Sequence, residues 1–483
     1  MAVTLYTSRV ILATLGEVDY GLYNVVGGVV TSFTFVSMAM TNASTRFITY
    51  ALGKKDDDYL QKVFHTSFLI HVLLAVFILL VAETIGLWFL NTYLNIPGDR
   101  MVVANWVFQF SIFTTMINTI VIPFNSTIIA HERMNAFAFI SVFDVVMKLI
   151  VVYLLILSPV DKFVSYSFLL LVVQAIDFGI YYLYTHNKFQ EVKLKIVIDK
   201  PIFKEMCGFA GWGIIGNLAG ICYTQGLNIL LSIFFGPVVN AARGIAVQVQ
   251  TAVKNFVASF QTAVNPQITK SYAEQDLNRM RNLIFVSCRF SYIIMLILVL
   301  PIFLEVDFIL SIWLTETPNH TASFIRLILI ISLVDCFERP LTIGMNATGQ
   351  IRKYQIITCS ILLLIVPISY ILLKAGMAPE VVFVVHFFIL IISCIPEIFI
   401  LRGYINISIT KYIKEVVVRS LLITVLSAII PVLLHIILDK TIWNSLLVMA
   451  VAFSSVLIVS YFGGMSKSEK QYVTQLIKSK FQK

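Results

Sequence analysis

Thirteen runs of about twenty predominantly apolar residues, separated by short polar breaks, dominate this chain. Each could cross a hydrocarbon core of about 30 Å as an α-helix rising about 1.5 Å per residue. They fall at Gly21–Thr41, Val63–Ala82, Val102–Ile122, Ala136–Leu157, Phe163–Thr185, Cys207–Phe235, Val239–Ala263, Leu283–Leu304, Thr321–Gly344, Tyr354–Leu373, Pro379–Leu401, Val416–Leu438 and Ile442–Phe462. In lipid every backbone N–H and C=O must be satisfied within the protein, so runs of this length read as helices. The expected fold is an all-α polytopic membrane protein. Composition agrees: 59% of the 483 residues are hydrophobic and 13% charged, against about 45–50% and about 25% in soluble chains. The breaks are short, too short for a separately folded extramembrane domain.

The runs are related by an internal repeat. A shift of 220 places lays Gly16 on Gly236, Val18 on Val238, Gly21 on Ala241, Val25 on Ile245, Val29 on Val249 and Ile48-Thr49 on Ile268-Thr269. Farther on, Pro123 before Ile128-Ile129-Ala130-His131-Glu132-Arg133 matches Pro340 before Met345-Asn346-Ala347-Thr348-Gly349-Gln350 at a shift of 217. A period this long suggests a duplicated bundle, not a solenoid unit. Met1–Thr14 is apolar but reaches only about 21 Å as a helix. Under the repeat Met1 falls on Ile221, inside the second-copy helix that begins near Cys207. The expectation is fourteen helices, the first truncated, with residues upstream of Met1 completing it, the alternative being a re-entrant or interfacial segment at Met1–Thr14. Residues 1–200 would form an N-terminal six-helix lobe and residues 201–401 a C-terminal one. Residues 402–483 would add two further spans and a basic tail.

Basic residues set orientation. If the chain before Gly16 starts in the cytoplasm, the cytoplasmic breaks and tail carry twenty-three lysines and arginines, and the opposite breaks carry four: Arg100, Lys162, Lys374 and Lys440. Both termini are then cytoplasmic. Each copy holds an even number of spans, so the repeat is parallel. The net charge of +9 follows from this loop asymmetry and does not point to nucleic acid. The six cysteines lie in or beside apolar runs without a CxxC spacing and read as small buried residues. No Walker A loop, HExxH or GxSxG occurs, and neither a cofactor nor a metal is expected. His71, His386 and His435 stand alone in apolar runs and read as hydrogen-bonded packing residues.

Charges inside the spans are costly, about 2.5–3.5 kcal/mol each at the bilayer centre on insertion scales. Arg243 and Lys254 are eleven residues apart, so on a helix they differ by about 20° and lie about 16 Å apart along the axis. Gln250 and Gln261 share their stripe and Asn265 lies near it. Such a face suits a water-filled cavity or the bundle interior, the alternative being a structural stripe paired with carboxylates on neighbouring helices. On the preceding helix Asn217, Thr224 and Asn228 share a face, and the repeat lays Thr4 on Thr224 and Ser8 on Asn228, with Arg9 adding a third cation. By sequence the only acids near these cations are Glu17 and Asp19. Asp144 with Lys148, and Asp335 with Arg339, are at i,i+4 and read as local ion pairs. Asp177 has no local partner and is a candidate for proton coupling or, equally, for a cross-helix hydrogen bond.

Tyr6-Thr7-Ser8-Arg9, Leu15-Gly16 with Asp19-Tyr20-Gly21-Leu22-Tyr23-Asn24, and Pro123-Phe124 with Ala130 and Glu132 resemble the bacterial polysaccharide flippases of the Wzx type. Those belong to the multidrug/oligosaccharidyl-lipid/polysaccharide exporter superfamily. The resemblance covers essentially the whole chain and implies twin six-helix lobes with two extra helices. It also implies translocation of an undecaprenyl-diphosphate-linked oligosaccharide across the inner membrane by alternating access, for O-antigen, capsule or exopolysaccharide. Polysaccharide polymerase machinery would be a partner beside membrane lipids. The truncated first helix departs from the family. Arg9, Arg243 and Lys254 would contact the diphosphate, with Asn217, Asn228 and Gln250 beside them. A cation-coupled drug exporter would instead want carboxylates in the central helices. A membrane-embedded polymerase or ligase would need a sizeable outer loop.

Overall fold

The computed structural model describes residues 34–92, 100–157, 161–193, 199–314 and 317–464, which form fourteen helices and no strand. They are α1 (Thr34–Lys54), α2 (Asp57–Thr92), α3 (Met101–Ala130), α4 (Met134–Leu157), α5 (Lys162–Lys188), α6 (Lys200–Phe235), α7 (Pro237–Ala273), α8 (Leu277–Leu304), α9 (Val306–Trp313), α10 (Thr321–Thr348), α11 (Ile351–Lys374), α12 (Val381–Ile405), α13 (Ile409–Ile437) and α14 (Ile442–Gly463). Every predicted run from Val63 onward lies within one of these helices or within two residues of it. The first run coincides with α1 only from Thr34, and the truncated helix at Met1–Thr14 lies outside the described residues.

Two differences from the sequence reading have clear causes. The helices outrun the apolar runs because polar turns continue them: α7 has 37 residues, about 55 Å, well beyond one hydrocarbon thickness. The short α9 was not anticipated. Its Val306 and Leu310 are buried, and its Asp307 pairs with Arg326 of α10 at 2.8 Å.

Local signals set the helix ends. Asp56, Asp161, Asp276, Ser408 and Thr441 each accept a backbone N–H of the following first turn, satisfying donors the helix leaves orphaned. Asp161 also pairs with Arg100, clasping the start of α5 to that of α3. Prolines sit inside α3, α7, α8, α10, α12 and α13, as membrane helices tolerate.

The chain forms two compact units, Met1–Asn217 and Leu218–Lys483, divided within α6. In the first, α3 packs against α1, α2 and α5, and α4 lies on α5. Phe124, next to Pro123, meets Phe64, Phe68, Phe178 and Tyr182 edge-on at 5.7–6.0 Å. Buried Ser67 donates to Ser44 at 2.7 Å. Rings, small residues and hydrogen bonds suit a lipid solvent, which gives helices no hydrophobic reason to associate. In the second unit α7, α8 and α10 pack on one another, α12 lies on α10, α11 on α12, and the α13–α14 pair on α8. Large apolar side chains point outward, with Ile436 72% and Trp443 81% exposed. That outward apolarity is where the surplus in the composition goes.

Ten of the helices are long and apolar enough to cross a membrane. Among the long helices described, α1, α7 and α10 are outside that set, and α7 and α10 pack along each other.

Candidate functional site

The site begins at a sharp joint. Gly236 links α6 to α7 with φ 81° and ψ −175°, a backbone region essentially open to glycine alone. A Cβ there would meet open space, so conformation, not crowding, requires the glycine. The joint folds α7 back on α6 and brings Arg243 beside Thr224 and Asn228.

Arg243 is 6% exposed. Its guanidinium donates to the Asn228 side-chain oxygen and, at 3.2 Å, to the Thr224 carbonyl. Its Nε has no hydrogen-bond partner among the described residues. Asn228 is oriented in turn by donating to Gln225 at 2.9 Å. Among the described residues no carboxylate pairs with Arg243. Its acceptors there are neutral, so within the described residues its positive charge is uncompensated.

Lys254 has a different environment. Its ammonium forms an ion pair with Asp335 of α10. One turn earlier, Gln250 donates to Ser332 at 3.0 Å, so two rungs tie α7 to α10 in parallel register. Gln261 donates to Ser291 of α8 at 3.1 Å. This corrects the sequence reading twice. The acids near the stripe are not only Glu17 and Asp19, and Asp335 pairs across helices instead of with Arg339, which is exposed. The i,i+4 spacing was compatible with a local pair, but α7 places a less exposed cation directly opposite.

The two cations share neighbours. His386 of α12 is within electrostatic reach of Arg243, Lys254 and Asp335. It packs edge-on against Tyr223 at 5.3 Å and makes no hydrogen bond among the described residues, unlike the packing role expected of it. His71 and His435 are hydrogen-bonded as expected, to the Ser67 carbonyl at 2.8 Å and to Glu305 at 2.7 Å.

The remaining candidates are placed as follows. Asn217 is half-buried on α6, eleven residues before Asn228 and on the same face. Arg9 lies outside the described residues. Lys148 and Asp144 form the expected local pair at 2.8 Å. Asp177 of α5 is buried beside that pair, and among the described residues its Oδ1 has no hydrogen-bond partner. Sequence reading missed three groups: Asp335 as the partner of Lys254, Glu338 one turn along α10, and Glu397, fully buried on α12. Glu397 interrupts a long apolar run, a signal that would have marked it.

The sequence matches the family model described as polysaccharide biosynthesis protein over residues 4–272, more than half of the chain. The chain belongs to this family. A second family model, MatE, matches residues 214–371 of this polysaccharide biosynthesis protein. No curated protein matches it in sequence. Solved transporter structures share its fold. A MATE protein crystallised in the straight conformation has a TM-score of 0.74 at 14% identity, covering 84% of this chain and 92% of its own. A transporter of the MOP superfamily from Pyrococcus furiosus, reported with a reverse-polarity binding pocket suggesting a different function, gives 0.73 at 12%, covering 84% and 93%. A Vibrio cholerae MATE transporter in its bent form gives 0.71 at 14%, covering 84% and 93%. This family member is thus a multi-pass membrane protein with a MATE-like fold.

Proposed function

We propose that the chain is a flippase that moves oligosaccharide linked to undecaprenyl diphosphate across the bacterial inner membrane by alternating access, for O-antigen, capsule or exopolysaccharide synthesis. The observation that carries this reading is Arg243, a buried guanidinium held, among the described residues, by an amide oxygen and a main-chain carbonyl. A buried cation without a carboxylate is costly, and a mobile anion relieves that cost. Guanidinium and ammonium groups both suit diphosphate oxygens. Arg243 and Lys254, about 16 Å apart along α7, are too far apart for one diphosphate to bridge. They act in succession, Lys254 becoming available as Asp335 lets go.

Asn217, Asn228 and Gln250 offer amides beside this path, and Arg9 supplies the corresponding cation of the first copy. Buried Asp177, with Asp144 and Lys148 next to it, is the candidate for ion coupling in the first unit. Partners are the lipid-linked oligosaccharide, membrane lipids and polysaccharide polymerase machinery, with no nucleic acid. Both termini lie in the cytoplasm.

The test is complementation of surface polysaccharide in cells lacking their own flippase. Arg243→Gln and Lys254→Gln, at parental expression, lose export, and Arg243→Lys keeps part of it. If both neutral variants export as well as the parent, the diphosphate role is wrong.

A cation-coupled multidrug exporter is the second reading. It is favoured by the MatE match and by Asp335 and Glu338 on α10. It requires that the chain confer drug resistance, lost in Asp335→Asn, with no effect on polysaccharide.

A further inference from the structure

One acid of the second unit has no part in the site above. Glu397 sits on α12 with no exposed surface. Its Oε1 is 3.2 Å from the Tyr354 hydroxyl of α11, and that hydroxyl is 2.7 Å from the Thr342 hydroxyl of α10. Thr342 can donate to the Glu338 carbonyl at 3.3 Å. Glu397 Oε2 has no hydrogen-bond partner among the described residues.

Among the described residues the surroundings lack a counter-charge bonded to it. The ionisable groups around Glu397 are Glu338 on α10, Tyr354 on α11 and Cys394 one turn earlier on its own helix, with Tyr412 of α13 and Cys288 of α8 behind them. Among the described residues no lysine, arginine or histidine bonds to it. Arg339, beside Glu338, is exposed and acts on Glu338.

Hydrogen-bond accounting separates the two states of this carboxyl. As an anion, Glu397 accepts one bond from Tyr354 and leaves a charged oxygen bare, at a desolvation cost of several kcal/mol. As a neutral acid it donates through Oε1 to Tyr354. Tyr354 then turns its hydroxyl to Thr342, and Thr342 donates to the Glu338 carbonyl. Every donor in that chain has an acceptor. Hydroxyls rotate freely enough to reverse the chain, so the same four groups serve a proton on Glu397 or its loss.

We propose that Glu397 is a proton-binding site of the second unit, holding a proton while α10, α11 and α12 close over it and releasing that proton to water when they part. A proton is favoured over a metal cation because the oxygens gathered here are few, one carboxyl and two hydroxyls, and no open surface admits a hydrated ion. Loading adds one proton to Glu397 and unloading removes it, with no other bond made or broken. Glu338 is the shared neighbour of Glu397 and Asp335, so the proton's charge is felt next to the Lys254 pair.

The test reads the carboxyl directly and needs no substrate. Infrared difference spectra of the full chain in lipid nanodiscs, titrated in pH, should show a protonated-carboxyl carbonyl band that is absent in Glu397→Gln. Tyr354→Phe should shift that band, and replacing potassium by sodium at fixed pH should leave it. In heavy water the band should move to its deuterated position, showing that water reaches the site. A spectrum unchanged in Glu397→Gln overturns the proposal. So does a band abolished by sodium, or one that never exchanges in heavy water. These outcomes are independent of whether Arg243→Gln abolishes polysaccharide export.

Discussion

Lys254 of α7 and Asp335 of α10 form an ion pair in which the lysine side chain is 29% and the carboxylate 14% exposed. The pair continues the register set by Gln250 and Ser332 one turn earlier. An anionic substrate therefore meets a lysine already engaged, and the carboxylate competes with it.

Asp335→Asn removes that competitor while keeping the side-chain shape. The apparent affinity for a short-chain prenyl diphosphate, measured by tryptophan fluorescence on the full chain, should tighten about tenfold, or ~1.4 kcal/mol. Polysaccharide export in complemented cells should fall, because release slows. Unchanged affinity would mean that Lys254 does not see the diphosphate.

Gly236→Ala places a Cβ on a backbone at φ 81° and ψ −175°, at a cost of about 1–3 kcal/mol. The melting temperature of the detergent-solubilised protein should drop by several degrees. Gly244→Ala is the control. Gly244 has no such conformation, and a Cβ added there would meet no atom within 4 Å, so the melting temperature should stay nearly unchanged.

Gly226→Ala acts through crowding. A Cβ there would lie 2.7 Å from one Val366 methyl and 3.2 Å from the other, pushing α6 away from α11 at about 1–3 kcal/mol. Val366→Ala in the same chain should recover most of that loss. Additive losses in the double variant would refute the contact.

His131, just past α3, stacks on Phe189 at 4.1 Å and bonds Glu191 at 2.6 Å. His65 of α2 meets the Lys193 carbonyl at 3.0 Å. Together they moor the segment after α5. His131→Ala should cost about 1–2 kcal/mol locally, read as faster amide exchange confined to residues 189–193 while α3 stays protected.

Length and apolarity made the spans legible, because a bilayer fixes both requirements at once. The face of α7 was legible too, since eleven residues make nearly three whole turns. Asp335 was misjudged because i,i+4 spacing describes one helix and says nothing of what a neighbour brings opposite. The sealed Glu397 carries no periodic partner in sequence; its hydroxyl chain joins three helices through Thr342, Tyr354 and Glu397, a juxtaposition only packing reveals. The short α9 escaped notice because eight residues produce neither a spanning run nor a sustained period.

The polarity of α7 bears on how the chain is made. A segment carrying Arg243, Gln250, Lys254 and Gln261 is a poor candidate for partitioning alone from the translocon into lipid. Gly236 places it one residue after α6, an apolar helix of 36 residues. The two can enter as a hairpin, with Arg243 already capped by Asn228 and Thr224 of the leading helix. Biogenesis thus reads the joint before transport does, and a change that opened the turn at Gly236 would leave α7 to partition without the help of its leading helix.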